Sequence, residues 1–273
     1  MYTLMPFPEI IVSSHILKSA FLKRDVAFQV FAPEQLLGNE TLNLLILNDG
    51  QEADNLGLKR ALEDLSAQAK IDPVIAVTVS SGVERLQEYG VAGNPDFLKR
   101  GSKAGAYTDF LTSELLPYLQ NELGFAITGT KAIAGFSLGG LSAFDVAWNN
   151  GDVFDVAGVF SGSFWWRKKD LKDDYSDHDR IMHGVIRNSS AKPDVKFWLM
   201  TGTEDEQADR NRNFIIDSID DTIDIIKELM AKGYKRPDDI RYYEMVGGTH
   251  NITTWAKAFP SFLCWAFARK IYS

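Results

Sequence analysis

A serine held between two glycines, in the run Gly135-Phe136-Ser137-Leu138-Gly139, constrains the fold of this chain more than any other feature. The apolar residues 132–134 lead into it and residues 138–144 continue as a helical pattern, so a strand must turn into a helix within a few residues. Such a turn holds the serine in a strained backbone with its hydroxyl exposed, and only glycine on each side leaves room for it. An ordinary glycine-rich turn without chemistry is the alternative interpretation.

Short apolar segments alternate with helical patterns along the chain, which predicts an α/β fold with a mostly parallel sheet and helices on both faces. The first two strands are typical of an antiparallel hairpin at the sheet edge. We expect one domain over residues 1–273, with a polar insert at about 167–194 that forms a solvated lid or loop. The predicted strands cover 10–12, 26–33, 42–47, 73–79, 131–134, 156–160, 195–200 and 240–246, and the longer helices cover 55–70, 107–123 and 212–230.

The charge balance excludes some classes of partner. The chain has 29 Lys and Arg against 37 Asp and Glu, a net charge of −8, and offers no basic field for nucleic acid or an anionic membrane. No stretch approaches the ~18 apolar residues of a membrane span, and the N-terminus lacks a signal-peptide pattern, so we expect a cytoplasmic protein. A small molecule is the expected partner, and the sequence leaves the oligomeric state open, a homodimer included.

The cysteine and histidine content favours a site without metal or cofactor. A single cysteine, Cys264, allows no internal disulfide and lies in an apolar helical pattern, so we expect it in the core. His178 and His183 lie among carboxylates in the polar insert, but their spacing fits no metal-ligand template. We therefore predict no metal and no cofactor.

Two further side chains follow predicted strands and could complete a catalytic triad with Ser137. His250 lies between the last strand and the closing helix, and Asp205 follows the strand 195–200. An imidazole can take the serine proton, and a carboxylate on its other nitrogen fixes the tautomer and orientation of the ring. Glu204 and Asp209 remain alternatives to Asp205 as the acid.

An oxyanion site is expected from backbone amides at two places. The amide of Leu138 opens the helix after the serine, and the amides of Gly50 or Gln51 follow the buried strand 42–47. An ordinary Asp-Gly turn is the alternative for Gly50.

A substrate pocket is expected beside this site. Trp165 and Trp166 follow the strand 156–160 at the sheet edge where open α/β sheets bind ligands, and Arg85 and Tyr89 lie in the long connection 80–103. Packing of the two tryptophans, and a surface position for Arg85 and Tyr89, are the alternatives.

Taken together, these residues resemble the α/β-hydrolases of the group that includes enterochelin esterases, feruloyl esterases and S-formylglutathione hydrolases. The likeness covers most of the chain and is strongest to the catalytic domain of enterochelin esterases, although no cluster of basic residues that would receive an anionic catecholate is evident. The motifs that carry it are Arg85-x-x-Glu88, Glu114-Leu115-Leu116-Pro117, Gly135-x-Ser137-x-Gly139-Gly140, Ser161-Gly162-Ser163-Phe164-Trp165-Trp166 and Gly247-Gly248-x-His250.

The resemblance implies an α/β-hydrolase fold with Ser137 as nucleophile, His250 as base and Asp205 as acid. The activity it implies is hydrolysis of a small, aryl or acyl ester through an acyl-enzyme intermediate, with siderophore-like esters among the candidates. Two alternatives stay open, which are an acyltransferase on the same triad and a non-catalytic binding relative.

Overall fold

One mixed sheet organises the protein, and the computed structural model describes residues 9–35 and 41–269 of it. The strand order is β1-β2-β4-β3-β5-β6-β7-β8, with β2 antiparallel to both of its neighbours and every later pair parallel. The predicted fold class and the edge hairpin are thereby confirmed. The strands are β1 Ile10–Ser19, β2 Arg24–Pro33, β3 Asn43–Asn48, β4 Val74–Val79, β5 Lys131–Phe136, β6 Val156–Phe160, β7 Lys196–Glu204 and β8 Ile240–Thr249.

Helices cover both faces of the sheet, because the central strands are apolar on both sides. In β3, Leu44 and Ile46 face one hydrophobic cluster while Leu45 and Leu47 face the other, and all four side chains are fully buried. The helices are α1 Ala53–Leu56, α2 Leu58–Ala67, α3 Arg85–Glu88, α4 Ala104–Asp109, α5 Leu116–Asn121, α6 Leu138–Asn149, α7 Ile181–Asn188, α8 Asp217–Ala231 and α9 Ile252–Phe267.

The two hydrophobic clusters divide these helices between the faces. Side chains of α1, α2 and α9 belong to one cluster, and side chains of α4, α5, α6, α7 and α8 belong to the other. Cys264 of α9 is half-buried and packs against the first of these clusters, so it lies at the border of the core and not within it as expected. Within the two described ranges, no helix combines the length and apolarity that a bilayer crossing demands.

The polar insert is more ordered than a solvated loop, which corrects the prediction for residues 167–194. It contains a short 3₁₀ turn, Asp177–Asp179, followed by α7. The helix is anchored because Ile181, Met182 and Ile186 are buried, and because the buried guanidinium of Arg180 bonds carboxylates of α8.

The helix predicted at 212–230 begins five residues later, at Asp217. Arg212 and Phe214 adopt left-handed backbone conformations with φ of 58° and 70°, which interrupt a helix. The carboxylate of Asp209 stabilises this loop by accepting hydrogen bonds from the amides of Asn213 and Phe214 at 3.1 and 2.9 Å. The Asp209 side chain therefore stabilises a loop at residues 213 and 214, where the apolar periodicity of the sequence predicts a helix.

Candidate active site

Ser137 lies at the sharp turn between β5 and α6. Its backbone has φ of 52° and ψ of −121°, a conformation that costs an L-residue free energy, so the surroundings must impose it. Its amide donates to the carbonyl of Phe160 on the neighbouring strand at 2.9 Å, and its own carbonyl accepts from the amides of Gly140 and Leu141. The serine is thus fixed at the carboxyl edge of the sheet, where β5 and β6 end.

The glycines on each side of Ser137 are required by close backbone contact. A Cβ added at Gly135 would lie 2.4 Å from the carbonyl oxygen of Gly139, and one at Gly140 would lie 3.0 Å from the carbonyl oxygen of Gly135. Because both obstacles are backbone atoms, no side-chain rotation relieves them. The start of α6 therefore packs directly on the end of β5.

Asp205 and His250 face each other from the ends of β7 and β8. The Nδ1 atom of His250 lies 3.9 Å from Oδ1 of Asp205, whose side chain is fully buried, while the His250 side chain is 39% exposed. The two strands meet tightly here, since a Cβ at Gly202 would lie 2.2 Å from the carbonyl oxygen of Gly248. Gly202 and Gly248 thus allow the ends of β7 and β8 to approach each other, which brings the Asp205 carboxylate close to the His250 imidazole.

Burial and the attraction between Asp205 and His250 shift the pKa of each group in opposite directions. Burial raises the pKa of the Asp205 carboxyl, while the hydroxyl of Ser161 and the charge of His250 lower it, and the net shift is upward. Burial lowers the pKa of His250 below its ordinary value of 6.5, and the Asp205 charge only partly offsets this. At neutral pH the imidazole is therefore uncharged, the form that can accept a proton.

The three side chains are not fully hydrogen-bonded to one another in this structure. Among the described residues, the polar side-chain contact of Ser137 Oγ is Ser163 Oγ at 3.4 Å, and neither ring nitrogen of His250 has a hydrogen-bond partner. His250 instead packs edge to face against Trp255, with 5.2 Å between ring centroids. Catalytic hydrogen bonds are often long in the absence of substrate and tighten on binding.

The two alternative acids lie in different surroundings from Asp205. Glu204 is exposed at the end of β7, and the Asp209 carboxylate is occupied by the amides of its own loop. Asp205 has both carboxylate oxygens buried without a hydrogen-bond partner in the described structure. Of the three, Asp205 is the acid that lies beside His250, at 3.9 Å from its Nδ1 atom.

The expected oxyanion donors lie at the start of two helices. Leu138 begins α6, and Gly50 begins a 3₁₀ helix, Gly50–Glu52, that also includes Gln51. First-turn amides have no acceptor within their own helix, so these groups are free to bind an anion. Gly50 cannot carry a side chain, because its Cβ would lie 2.6 Å from the backbone of Thr78.

A buried hydrogen-bond network ties the loop after β3 to the start of α6, and the sequence did not reveal it. The Asn48 side-chain amide donates to the carbonyl of Gly139 at 2.8 Å and accepts from the hydroxyl of Tyr107 at 2.6 Å. Next to it, the Asp49 amide donates to the hydroxyl of Tyr89 at 3.1 Å. The signal available in the sequence was a run of polar residues directly after a buried strand.

This network corrects the expectation that Tyr89 lines a pocket, and it gives Arg85, whose side chain is 30% exposed, a partner within the protein. Tyr89 is 1% exposed and has no surface to offer a substrate. The Arg85 guanidinium forms a bidentate salt bridge with Asp49, in which Nε and Nη2 donate to the two carboxylate oxygens at 2.6 and 2.7 Å. Both side chains support the loop that carries Gly50 and Gln51.

The two tryptophans after β6 differ in their roles. Trp166 is fully buried, and its ring packs against Gly90 and Gly101, so it does not line a pocket either. Trp165 is half-buried, and the guanidinium carbons of Arg100 and Arg167 lie 5.2 and 5.9 Å from its ring centroid. The side chain of Arg167 has a buried Nε without a hydrogen-bond partner in the described structure.

A groove of about 670 Å³ adjoins the loop that carries Gly50 and Gln51. Its walls are that loop, Asp54, Ser80 and residues 14–16 and 27–29 of the β1–β2 hairpin. The volume is that of a small-molecule site.

The two histidines of the polar insert, His178 and His183, contact other parts of the protein. His183 is buried, its Nε2 lies 2.9 Å from the carbonyl oxygen of Asp221, and burial lowers the pKa of its imidazole to about 3. His178 is exposed and contacts Arg187. Within residues 9–35 and 41–269, no group of three or more His, Cys, Asp or Glu side chains has the geometry to hold a metal ion.

The strand order, the strained serine at the turn into a helix, and the facing carboxylate and imidazole define an α/β-hydrolase fold. Within that class, the chain belongs to the "Putative esterase" family, whose sequence pattern matches residues 19–266. The family resemblance expected from the motifs is therefore confirmed.

Solved structures with the same fold include esterases of several kinds. An enterobactin esterase from Shigella flexneri superposes with a TM-score of 0.74 and is 18% identical, and the match covers 95% of this chain and 59% of the Shigella chain. A ferulic acid esterase gives a TM-score of 0.71 at 19% identity, covering 95% of this chain and 98% of the other. The siderophore hydrolase EstB from Aspergillus nidulans gives 0.68 at 15% identity, covering 99% of each chain. The present chain thus spans 59% of the length of the Shigella enzyme, which is less than two thirds.

Proposed function

We propose that the protein is a serine carboxylic-ester hydrolase in which Ser137 attacks the ester carbonyl and forms an acyl-enzyme intermediate. The observation that carries the proposal is the placement of Ser137, Asp205 and His250 at the ends of three strands of one sheet, with His250 Nδ1 3.9 Å from the Asp205 carboxylate. Family membership and the esterase folds of its structural neighbours support it.

The chemistry follows from the properties of these groups. Neutral His250 takes the Ser137 proton as the hydroxyl attacks, and the buried Asp205 stabilises the imidazolium that forms. The amides of Leu138 and of Gly50 or Gln51 bind the developing oxyanion, each such donor supplying ~3–4 kcal/mol to the transition state. His250 then protonates the leaving alcohol, and water activated by His250 releases the acyl group. The proposal requires a hydrogen bond between Ser137 and His250 that forms when substrate binds.

The substrate is proposed to be an aryl or acyl ester of small to medium size, with siderophore-like esters included. The groove beside Gly50 and Gln51 is not lined by Ser137, Asp205 or His250, so it offers room only for a part of the substrate that extends past the oxyanion loop. Trp165 provides a partly exposed ring on which an aromatic group can stack, and Arg167 places positive charge beside it, whereas the Arg100 guanidinium is paired with Asp96. The names of the structural neighbours, enterobactin esterase, ferulic acid esterase and siderophore hydrolase, agree with this class.

Replacing Ser137 with alanine tests the proposal. Turnover of a nitrophenyl ester by Ser137→Ala should fall to background, while Ser142→Ala, a buried serine on the same helix, should retain it. Both variants should keep the thermal unfolding midpoint of the parent. Unchanged turnover by Ser137→Ala would exclude Ser137 as the nucleophile.

Two further measurements separate the alternatives that use the same fold. An acyltransferase would pass the acyl group to an added alcohol, so analysis of the products with competing alcohols distinguishes it from a hydrolase. A non-catalytic binding relative would not be labelled on Ser137 by a fluorophosphonate probe. The expected results are the free acid as main product and labelling of Ser137.

A further inference from the structure

A buried carboxylate lies directly beside the proposed oxyanion site. Asp49 immediately precedes Gly50 and Gln51, and its side chain is 7% exposed. A Cβ at Gly139 would lie 2.7 Å from Asp49 Oδ2, so the carboxylate also rests against the first turn of α6. It therefore lies between the two helix starts whose amides would bind the oxyanion, where an uncompensated negative charge would oppose oxyanion formation.

Arg85 compensates that charge. Its Nε and Nη2 donate to the two carboxylate oxygens of Asp49 at 2.6 and 2.7 Å, a bidentate arrangement. Its guanidinium also lies over the ring of Tyr89, at 5.1 Å from the centroid. The hydroxyl of Tyr89 in turn accepts a hydrogen bond from the backbone amide of Asp49. Arg85 thus holds both the side chain and, through Tyr89, the backbone of Asp49.

The backbone of Asp49 needs such support. Its φ of 58° and ψ of 48° are left-handed, a conformation that persists in a non-glycine residue only when its surroundings impose it. The direction of the next two amides, those of Gly50 and Gln51, depends on this turn.

We propose that Arg85 is a positioning residue for ester hydrolysis, which orients the Gly50–Gln51 amides through Asp49 and cancels the Asp49 charge beside the oxyanion. The proposal rests on the proposed function, because it concerns the transition state of that reaction. It predicts an effect on kcat rather than on KM, since the oxyanion exists only after substrate has bound.

Charge-removal variants test it with a nitrophenyl ester as substrate. Arg85→Met should lower kcat by ~100-fold, in the range for loss of one oxyanion donor, with KM changed less than about threefold. The double variant Arg85→Met/Asp49→Asn, which removes both charges, should recover kcat to within about tenfold of the parent. Arg85→Lys, which keeps the charge but not the bidentate contact, should fall between the parent and Arg85→Met.

Arg24 offers a matched control. It forms the same bidentate contact with the fully buried Glu88, at 2.7 and 2.6 Å, but in the described structure neither of these two side chains hydrogen-bonds residues 48–51. Arg24→Met should lower the thermal unfolding midpoint as Arg85→Met does, yet keep kcat within about threefold of the parent. A loss of kcat equal to that of Arg85→Met would show a general loss of stability and overturn the proposal.

The remaining outcomes are equally decisive. An Arg85→Met enzyme with kcat within about twofold of the parent overturns the proposal, and so does a double variant as slow as the single one. If Arg85→Met does not fold, Arg85→Lys replaces it, and a kcat equal to that of the parent counts against the proposal. Failure of the proposed function itself is recognised separately, because Ser137→Ala would then retain turnover.

Discussion

Replacing Asp205 with asparagine is the most informative perturbation of the proposed triad. The substitution keeps the size of the side chain and removes the charge that lies 3.9 Å from His250 Nδ1. Both Asp205 oxygens are buried without a full hydrogen bond in the described structure, although the Ser161 hydroxyl and the Gly202 amide lower the pKa of the carboxyl. The main effect of the asparagine is therefore the loss of the charge that faces the imidazole.

The expected magnitude follows from the separation and the exposure of the pair. Two unit charges 3.9 Å apart interact by about 4 kcal/mol at an effective dielectric constant of ~20. The His250 side chain is 39% exposed, so solvent screening weakens the interaction, and about 2 kcal/mol is taken as its lower limit. This energy stabilises the imidazolium that forms in the transition state, so its loss should lower kcat by ~30-fold to ~1,000-fold.

The assay measures kcat for a nitrophenyl ester at about pH 8, where His250 is neutral in both proteins. Glu204→Gln and Asp209→Asn serve as matched controls from the same loop. Both should retain kcat within about threefold, since Glu204 is exposed and Asp209 bonds only its own loop. Asp209→Asn should lower the unfolding midpoint, because it weakens two hydrogen bonds.

Stability provides an internal check on Asp205→Asn. Burial raises the pKa of Asp205, so the folded state disfavours the carboxylate, and the variant should unfold at the same temperature as the parent or higher at about pH 8. Loss of kcat can then not be assigned to unfolding. A kcat within about fivefold of the parent, or an equal loss in either control, would refute the assignment of Asp205 as the acid.

Three further predictions address other parts of the structure. Because burial lowers the pKa of His250, kcat/KM should fall on acidification with a midpoint below about pH 6.5, and a midpoint above that value would contradict the burial argument. Gly135→Ala should lower kcat by more than ~100-fold, since its Cβ would lie 2.4 Å from a backbone oxygen, whereas Gly184→Ala in α7, where nothing lies within 4 Å, should keep kcat and the unfolding midpoint. Burial raises the pKa of Asp145 to about 7, above its unfolded value, so the folded state holds an extra proton between about pH 4 and 7. The free energy of unfolding should therefore fall as pH rises through that window, and urea titrations should show a flatter pH dependence in Asp145→Asn.

The sequence predicted the sheet well because each strand carries its own signal. The run 42–47 is apolar at nearly every position, and the structure buries it on both faces as β3, with bounds one residue later. Candidate site residues were found for a related reason, because Ser137, Asp205 and His250 each come within five residues of the end of a predicted strand. In a parallel sheet the strand ends meet at one edge, so local patterns are enough to bring these residues together.

The surroundings of the site were not predictable in the same way, because they depend on contacts between distant segments. Tyr89 and Trp166 are aromatic residues near the expected pocket, but whether such a ring faces substrate or core depends on what packs against it. Trp166 is buried because Gly90 and Gly101 leave space for its ring. The two guanidinium groups beside Trp165 were missed because Arg100 and Arg167 come from separate segments and form no basic run.

The proposed oxyanion site is bounded by two non-glycine residues with positive φ, Ser137 at 52° and Asp49 at 58°. Strained conformations persist only where neighbouring groups over-determine them, and here the support differs on the two sides. Ser137 is fixed by backbone contacts, which no substitution of a neighbouring side chain removes without changing the fold. Asp49 is fixed by the side chains of Arg85 and Tyr89, which can be replaced while the sheet stays intact. The loop after β3 is therefore the half of the site where substitutions should lower activity without unfolding the protein.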